Sequence, residues 1–199
     1  MNAKSLWRVG TLVLIFILMG SIGSFGALTP ADQLEKAIEY VNREDYGQAV
    51  DVLEDVLRTL REKAPLKIEN TALVTEIYQF GMYDKRENSI FAPDEPILIY
   101  SEVRNFTSKK IDEELYAIRI NEDLQLLDVD DNLIIEQKEF ATVELNFRSL
   151  RVSDLFLQNT ITLSGLPSGD YKLKIIVTDV PSGKKADLVI SISIRGKRE

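Results

Sequence analysis

Three groups of residues in this 199-residue chain have the types and spacing to do chemistry. Asp128-Val129-Asp130-Asp131-Asn132 sets oxygen side chains close together, as coordination of calcium, a hard cation, requires. It lacks the glycine and distal glutamate of an EF-hand loop and lies between Leu126-Leu127 and Leu133-Ile134-Ile135. A hairpin turn rich in Asp and Asn is therefore expected there. Ser182 with Lys184 or Lys185 could be drawn as a serine–lysine pair, but Pro181-Ser182-Gly183-Lys184 has the composition of a tight turn with a solvated lysine. Tyr78, Phe80, Tyr83 and Phe91 cluster around Gly81 and Pro93. Such rings could line a small-ligand or glycan surface, or cap a core beneath them.

The missing residue types narrow the field further. There is no His and no Cys, which removes Ser-His-Asp and Cys-His nucleophile systems, disulfides and ordinary structural zinc sites. Two carboxylates for glycoside hydrolysis could be chosen from the 32 acidic residues, but nothing in their order places a pair at the required separation. With 24 basic residues and a net charge of −8, the chain lacks the basic footprint of a nucleic-acid binder. No catalytic residue, cofactor or metal is assigned, and an enzyme is not expected.

The first 26 residues have the order of a secretory leader. Lys4 and Arg8 precede an uncharged stretch over 9–28 whose apolar part is 12–19, and small residues follow at Gly20, Ser21, Gly23, Ser24, Gly26 and Ala27. A cleaved signal is expected; the alternative is an uncleaved anchor, since the stretch is long enough to span a bilayer. A lipoprotein route is closed, for it needs a Cys after the signal. Either way the remainder is expected outside the cytoplasm, periplasmic or extracellular. The only tryptophan, Trp7, leaves with the leader.

Residues 27–65 carry two amphipathic helices. Thr29-Pro30-Ala31-Asp32 is a start signal with an N-cap hydroxyl, proline at the first turn and an acid at N3. Leu34, Ala37, Ile38 and Val41 recur at helical spacing. Asp45 caps a second helix with Gln48 three residues on; Ala49, Val50, Leu53, Val56, Leu57 and Leu60 form its apolar stripe, and Pro65 closes it. Glu39 with Arg43 and Glu54 with Arg58 stand four apart on solvated faces.

The pattern Ala37, Tyr40, Tyr46, Ala49, Leu53, Val56 resembles a tetratricopeptide-type repeat, with Gln33 where that family has a bulky aromatic. The resemblance implies a close-packed helical hairpin. A single repeat cannot bury both its faces, so it must dock on the rest of the chain, on a second copy, or on a partner protein.

From Leu66 onward, to residue 199, the apolar period changes to two. Strands are expected over 68–79, 97–105, 115–121, 124–128, 133–140, 155–163, 171–179 and 186–194, without intervening helices, which argues for an antiparallel sandwich. Gly165-Leu166-Pro167-Ser168-Gly169-Asp170-Tyr171 resembles the corner of immunoglobulin-like domains. The stretch from there to Ser182-Gly183-Lys184 is similar to the closing hairpin of exported bacterial modules of that kind. The resemblance implies a tyrosine hydroxyl returned to the backbone and a family of diverse functions. The whole reads as mainly β with a small α part: a leader, a two-helix hairpin, then an Ig-like sandwich. The expected role is protein–protein contact or self-association, through Tyr40, Tyr46, Leu53, Leu57 and Leu60 of the hairpin and the Tyr78–Phe80–Tyr83 loop. A glycan- or small-ligand-binding module is the alternative, and the membrane enters only through residues 9–28.

Overall fold

Local chemistry starts both helices where expected. In the computed structural model, which describes residues 28–148 and 154–196, α1 spans Pro30–Asn42. The Thr29 hydroxyl accepts from the Asp32 amide, and the Asp32 carboxylate accepts from the Thr29 amide at 2.9 Å, a reciprocal capping box. Bonds donated to it by the Thr29 hydroxyl and the Thr29 amide hold that carboxyl below the usual range. Helix α2 spans Tyr46–Lys63, and Asp45 accepts from the Gln48 amide at 3.3 Å. Glu44 adopts φ 59° in the three-residue loop between them, and so short a connection makes the helices antiparallel neighbours. Arg43 pairs with Glu39 at 3.7 Å, while Arg58 reaches Asp55 at 3.2 Å and Glu62 at 3.8 Å. The leader read over residues 1–26 lies outside the described residues, among which no helix is long and apolar enough to cross a membrane.

Ten strands follow: β1 Lys67–Gln79, β2 Met82–Lys85, β3 Ile90–Phe91, β4 Ile97–Arg104, β5 Lys109–Asp112, β6 Leu115–Leu127, β7 Leu133–Phe147, β8 Leu155–Ile161, β9 Gly169–Asp179 and β10 Lys185–Ile194. One sheet has the order β2-β1-β4-β8; the other runs β3-β10-β9-β6-β5, with β7 also paired to β6. A single core joins them, from Ile97, Ile99, Leu155 and Leu157 of the first sheet to Ile118, Ile120, Leu173, Ile175 and Ile192 of the second. Tyr171 donates its hydroxyl to the Pro167 carbonyl at 2.9 Å, as expected of that corner.

Strands β2, β3 and β5 and the second half of β7 were not expected from the sequence, and two further features depart from the pattern read there. The sheets are not wholly antiparallel. Strand β3 runs parallel to β10, because the segment leaving β2 crosses to the other sheet and enters in the direction of β10. Arg86 secures the crossing, donating to the Ile90 carbonyl at 2.8 Å, pairing with Glu95 at 2.8 Å and lying over the Phe91 ring at 4.2 Å. In addition, residues 115–127 form the one strand β6 where two were expected. Glu122 and Asp123, which fell between the two expected strands, continue it, and Glu122 occupies a core-facing position between Ile120 and Leu124. The turn at 128–132 is present: Asp128 accepts from the amides of Asp130 and Asn132 at 2.9 and 2.8 Å, and Lys172 pairs with Asp131.

The end of α2 is tied to the β domain. Lys184, in the β9–β10 turn, points its ammonium at the carbonyls of Arg61, Glu62 and Ala64, at 3.2–3.4 Å, and at that of Asn105. The last carbonyls of a helix have no partner within it and carry partial negative charge, so a cation there is favourable. Asn105 adds a bond from its amide to the Pro65 carbonyl at 2.9 Å. The turn presenting Lys184 is itself braced, with Ser182 donating to the buried Asp179 carboxylate, which also accepts from the Thr107 amide at 3.0 Å. Ser182 and Lys184 therefore serve the turn and the helix end. Lys184→Met should lower stability by about 1–2 kcal/mol and speed amide exchange over residues 60–64. Unchanged exchange there would show that Lys184 is not the tether.

Candidate functional site

The apolar surface of the hairpin is built by two rows on each helix. In α1, Ala37 is buried and Gln33 and Tyr40 are half-buried; in α2, Ala49 and Val56 are buried and Val52 is half-buried. These rows face each other, and the alanines permit the close approach. One residue further along lie Leu34, Ile38 and Val41 in α1, and Tyr46, Val50, Leu53, Leu57 and Leu60 in α2. All eight are between 42% and 62% exposed.

A step of one residue is a rotation of about 100°. Because the helices are antiparallel, the same step turns both outer rows toward the same side of the pair. The result is one continuous apolar face, whereas scattered surface leucines would need no explanation. Spacings of four and three, from Tyr46 through Val50, Leu53 and Leu57 to Leu60, are those of a seam that packs against another helix. The β domain does not cover this face.

The interaction residues expected from sequence divide between these rows. Tyr46, Leu53, Leu57 and Leu60 lie together on the exposed face. Tyr40 does not; it belongs to the inner row, with the Lys36 ammonium 5.8 Å from its ring centroid. Leu34, Ile38, Val41 and Val50 also belong to the face and were not among the expected interaction residues, although their helical period was the signal that would have found them.

The aromatic loop forms a separate structure on the outer face of the first sheet. Tyr83 lies on Tyr100 with ring centroids 4.2 Å apart, Phe156 stacks on the Tyr100 ring at 5.5 Å, and Arg104 covers Phe80 at 5.2 Å. Phe91 is buried in the core. The Tyr78 ring stays exposed; its hydroxyl donates toward Asp84 at 2.8 Å, with Glu76 at 3.1 Å, and these carboxylates push its pKa up to about 12.

Beneath this loop Tyr100 and Glu102 are buried although they face away from the core. The Tyr100 hydroxyl accepts from the Gly81 amide at 2.7 Å and donates to Glu102 at 3.0 Å, while Arg104 donates to the other Glu102 oxygen at 2.9 Å. Gly81, with φ 71°, makes the reversal that brings its amide there. The loop is a closed cap built on hydrogen bonds. Tyr100→Phe would leave the Gly81 amide and a Glu102 oxygen without their partner and should cost about 1–3 kcal/mol, readable as a lower urea midpoint at unchanged slope. A change under a few tenths would refute the capping role.

A second buried polar pair bridges the sheets. Glu122 of β6 accepts from the Asn159 side-chain amide of β8 at 2.8 Å, each being the polar member of an otherwise aliphatic core row. Burial raises the Glu122 pKa, and the Asn159 bond only partly opposes it. Below the ordinary glutamate value of 4.5 the carboxyl is neutral in folded and unfolded chains, and its contribution is complete. As pH rises the unfolded chain ionises first, so stability is lost until pH passes the raised folded value. Glu122→Gln abolishes this loss. Its stability relative to the parent should therefore increase from pH 4.5 toward neutrality, and parallel urea-derived profiles would contradict it.

Among the described residues, no cluster of three or more acidic side chains is arranged to hold a metal ion. The molecule thus defined is mainly β, with two helices ahead of two facing sheets. No protein-family model and no curated protein matches the sequence. In structure it is similar to the sporulation control protein Spo0M of Bacillus subtilis, with a TM-score of 0.37 and 15% identity over 67% of this chain and 50% of that one. It is also similar to the alkylpurine DNA glycosylase AlkC of Pseudomonas fluorescens bound to DNA containing an abasic site analogue, with a TM-score of 0.38 and 9% identity over 76% of this chain and 40% of that one. The chain spans half or less of each of these proteins, and likenesses this low carry no functional argument.

Proposed function

We propose that this protein is a non-enzymatic, exported interaction module that presents a helical hairpin for docking by another polypeptide. The observation that carries the reading is the continuous apolar face of Leu34, Ile38, Val41, Tyr46, Val50, Leu53, Leu57 and Leu60, exposed on a hairpin anchored at one end. Eight large apolar side chains on one side of a helix pair lose favourable burial free energy in water, about 1.5–3 kcal/mol for each fully buried on docking. A tetratricopeptide-like unit with one neighbour missing has this property.

The β domain, read as an Ig-like sandwich on its Tyr171 corner, is the rigid base. Export is supported by the basic start, the apolar run over 12–19 and the small residues after it. Absence of Cys suits a domain that folds on packing alone in any redox compartment. The partner reading for Tyr78, Phe80 and Tyr83 is weaker, since two of these rings are used in the cap.

Crosslinking in the native host provides the test. Tagged full-length protein should recover a defined crosslinked species that Leu53→Gln/Leu57→Gln loses at least tenfold, with the far-UV circular dichroism of both proteins the same. Equal recovery by both would overturn the hairpin as the docking surface.

A further inference from the structure

We infer that the polypeptide docking on the hairpin face is a second copy of this chain, paired through α2 in antiparallel fashion about a two-fold axis near Val56. This rests on the interaction reading above and names its partner. The carrying observation is the row one further residue around α2 from the exposed seam. It reads Gly47, Asp51, Glu54, Arg58, Arg61: two acids in the first half, two bases in the second, at the same four-and-three spacing.

A two-fold axis across the middle of such a row brings Asp51 opposite Arg61 of the second copy and Glu54 opposite its Arg58. To within one residue, about 1.5 Å of rise, the same axis brings Leu53 over Leu57 and Val50 over Leu60, in both copies at once. That is the self-complementarity an isologous interface requires. A parallel arrangement would instead stack like charges, Asp51 on Asp51 and Arg58 on Arg58, and charge opposition of that kind selects against it.

Packing α2 on the second copy's α1 is disfavoured on the same ground. The corresponding row of α1 holds Glu35 and Glu39, which would meet Asp51 and Glu54. The seam from Tyr46 to Leu60 is about 21 Å long, with large apolar side chains at every core position. The two β domains, each joined to the end of its own α2, would sit at opposite ends of the helical centre.

The experiment is sedimentation of three full-length proteins and one mixture. Asp51→Lys/Glu54→Lys makes the charged row wholly basic; Arg58→Glu/Arg61→Glu makes it wholly acidic. The parent is expected to sediment with the mass of two chains. Each double variant alone should dimerise at least about tenfold more weakly, because two symmetric sets of pairs become repulsive. An equimolar mixture of the two should recover a heterodimer. A parent that is monomeric at every concentration overturns the inference, as does a dimer whose strength the swaps and the mixture leave unchanged.

Should a swapped helix fail to fold, cysteines placed in this Cys-free chain decide instead. Glu54→Cys mixed with Arg58→Cys should crosslink on oxidation while Tyr46→Cys alone should not; the reverse pattern is parallel pairing and overturns the inference. A monomeric parent that still loses a crosslinked foreign species on Leu53→Gln/Leu57→Gln would leave the interaction reading standing and remove only self-pairing. Loss of both results would remove both.

Discussion

The β domain depends on aliphatic burial between two sheets that no disulfide joins. The chain contains no Cys, so the facing rows of β4, β8, β6, β9 and β10 must supply the cohesion through side chains such as Ile99, Leu157, Ile120, Leu173 and Ile175, each all but excluded from water. Close packing of this kind penalises polar intrusions, least where they bond one another. Glu122 and Asn159 are the clearest case. Each replaces an aliphatic member of its row, and the bond between them spans the gap between sheets. The pair adds direction to an interaction that is otherwise non-directional.

Two polar arrangements outside the core likewise match buried or helix-end groups to a partner. Tyr100 and Glu102 are buried by the β1–β2 loop, and the Gly81 amide and Arg104 complete their bonding. Lys184 reaches from the β9–β10 turn to carbonyls that the end of α2 leaves open. These contacts fix loop and helix end against the sheets without adding to the core. The hairpin is thereby held at one end with its apolar face uncovered by the β domain. Its helices can satisfy one row on each other; geometry forbids them from satisfying the second.

Much of this was legible in sequence because it rests on short-range chemistry. Thr29 with Asp32, and Asp45 with Gln48, mark helix starts within three residues. The alternation of Leu173, Ile175 and Val177 with Lys172, Lys174 and Thr178 marks a strand. Asp128 to Asn132 marks a turn because a carboxylate can bond the backbone two residues on. The reading failed where the partner was distant. Strands β2, β3 and β5 are too short to show a period and exist through their neighbours. The second half of β7, through Val143 and Phe147, was passed over after Lys138-Glu139, where Glu139 takes φ 47° and kinks the strand. Glu122 fell between two expected strands, because the Asn159 that compensates its burial lies 37 residues away.

The sequence by itself determined the element types over most of the chain, the capping of both helices, the two apolar stripes of the hairpin and the exclusion of thiol and imidazole chemistry. Residue type and local spacing suffice for each, since the forces involved act within a few residues. Only the tertiary structure decided which stripe is buried and which is open, that Tyr40 belongs to the inner row while Tyr46 does not, and that Tyr83 closes over Tyr100 while Phe80 lies under Arg104. Those outcomes depend on which surfaces meet first in space, and on the excess of apolar area that remains once two helices and two sheets have covered what they can of one another.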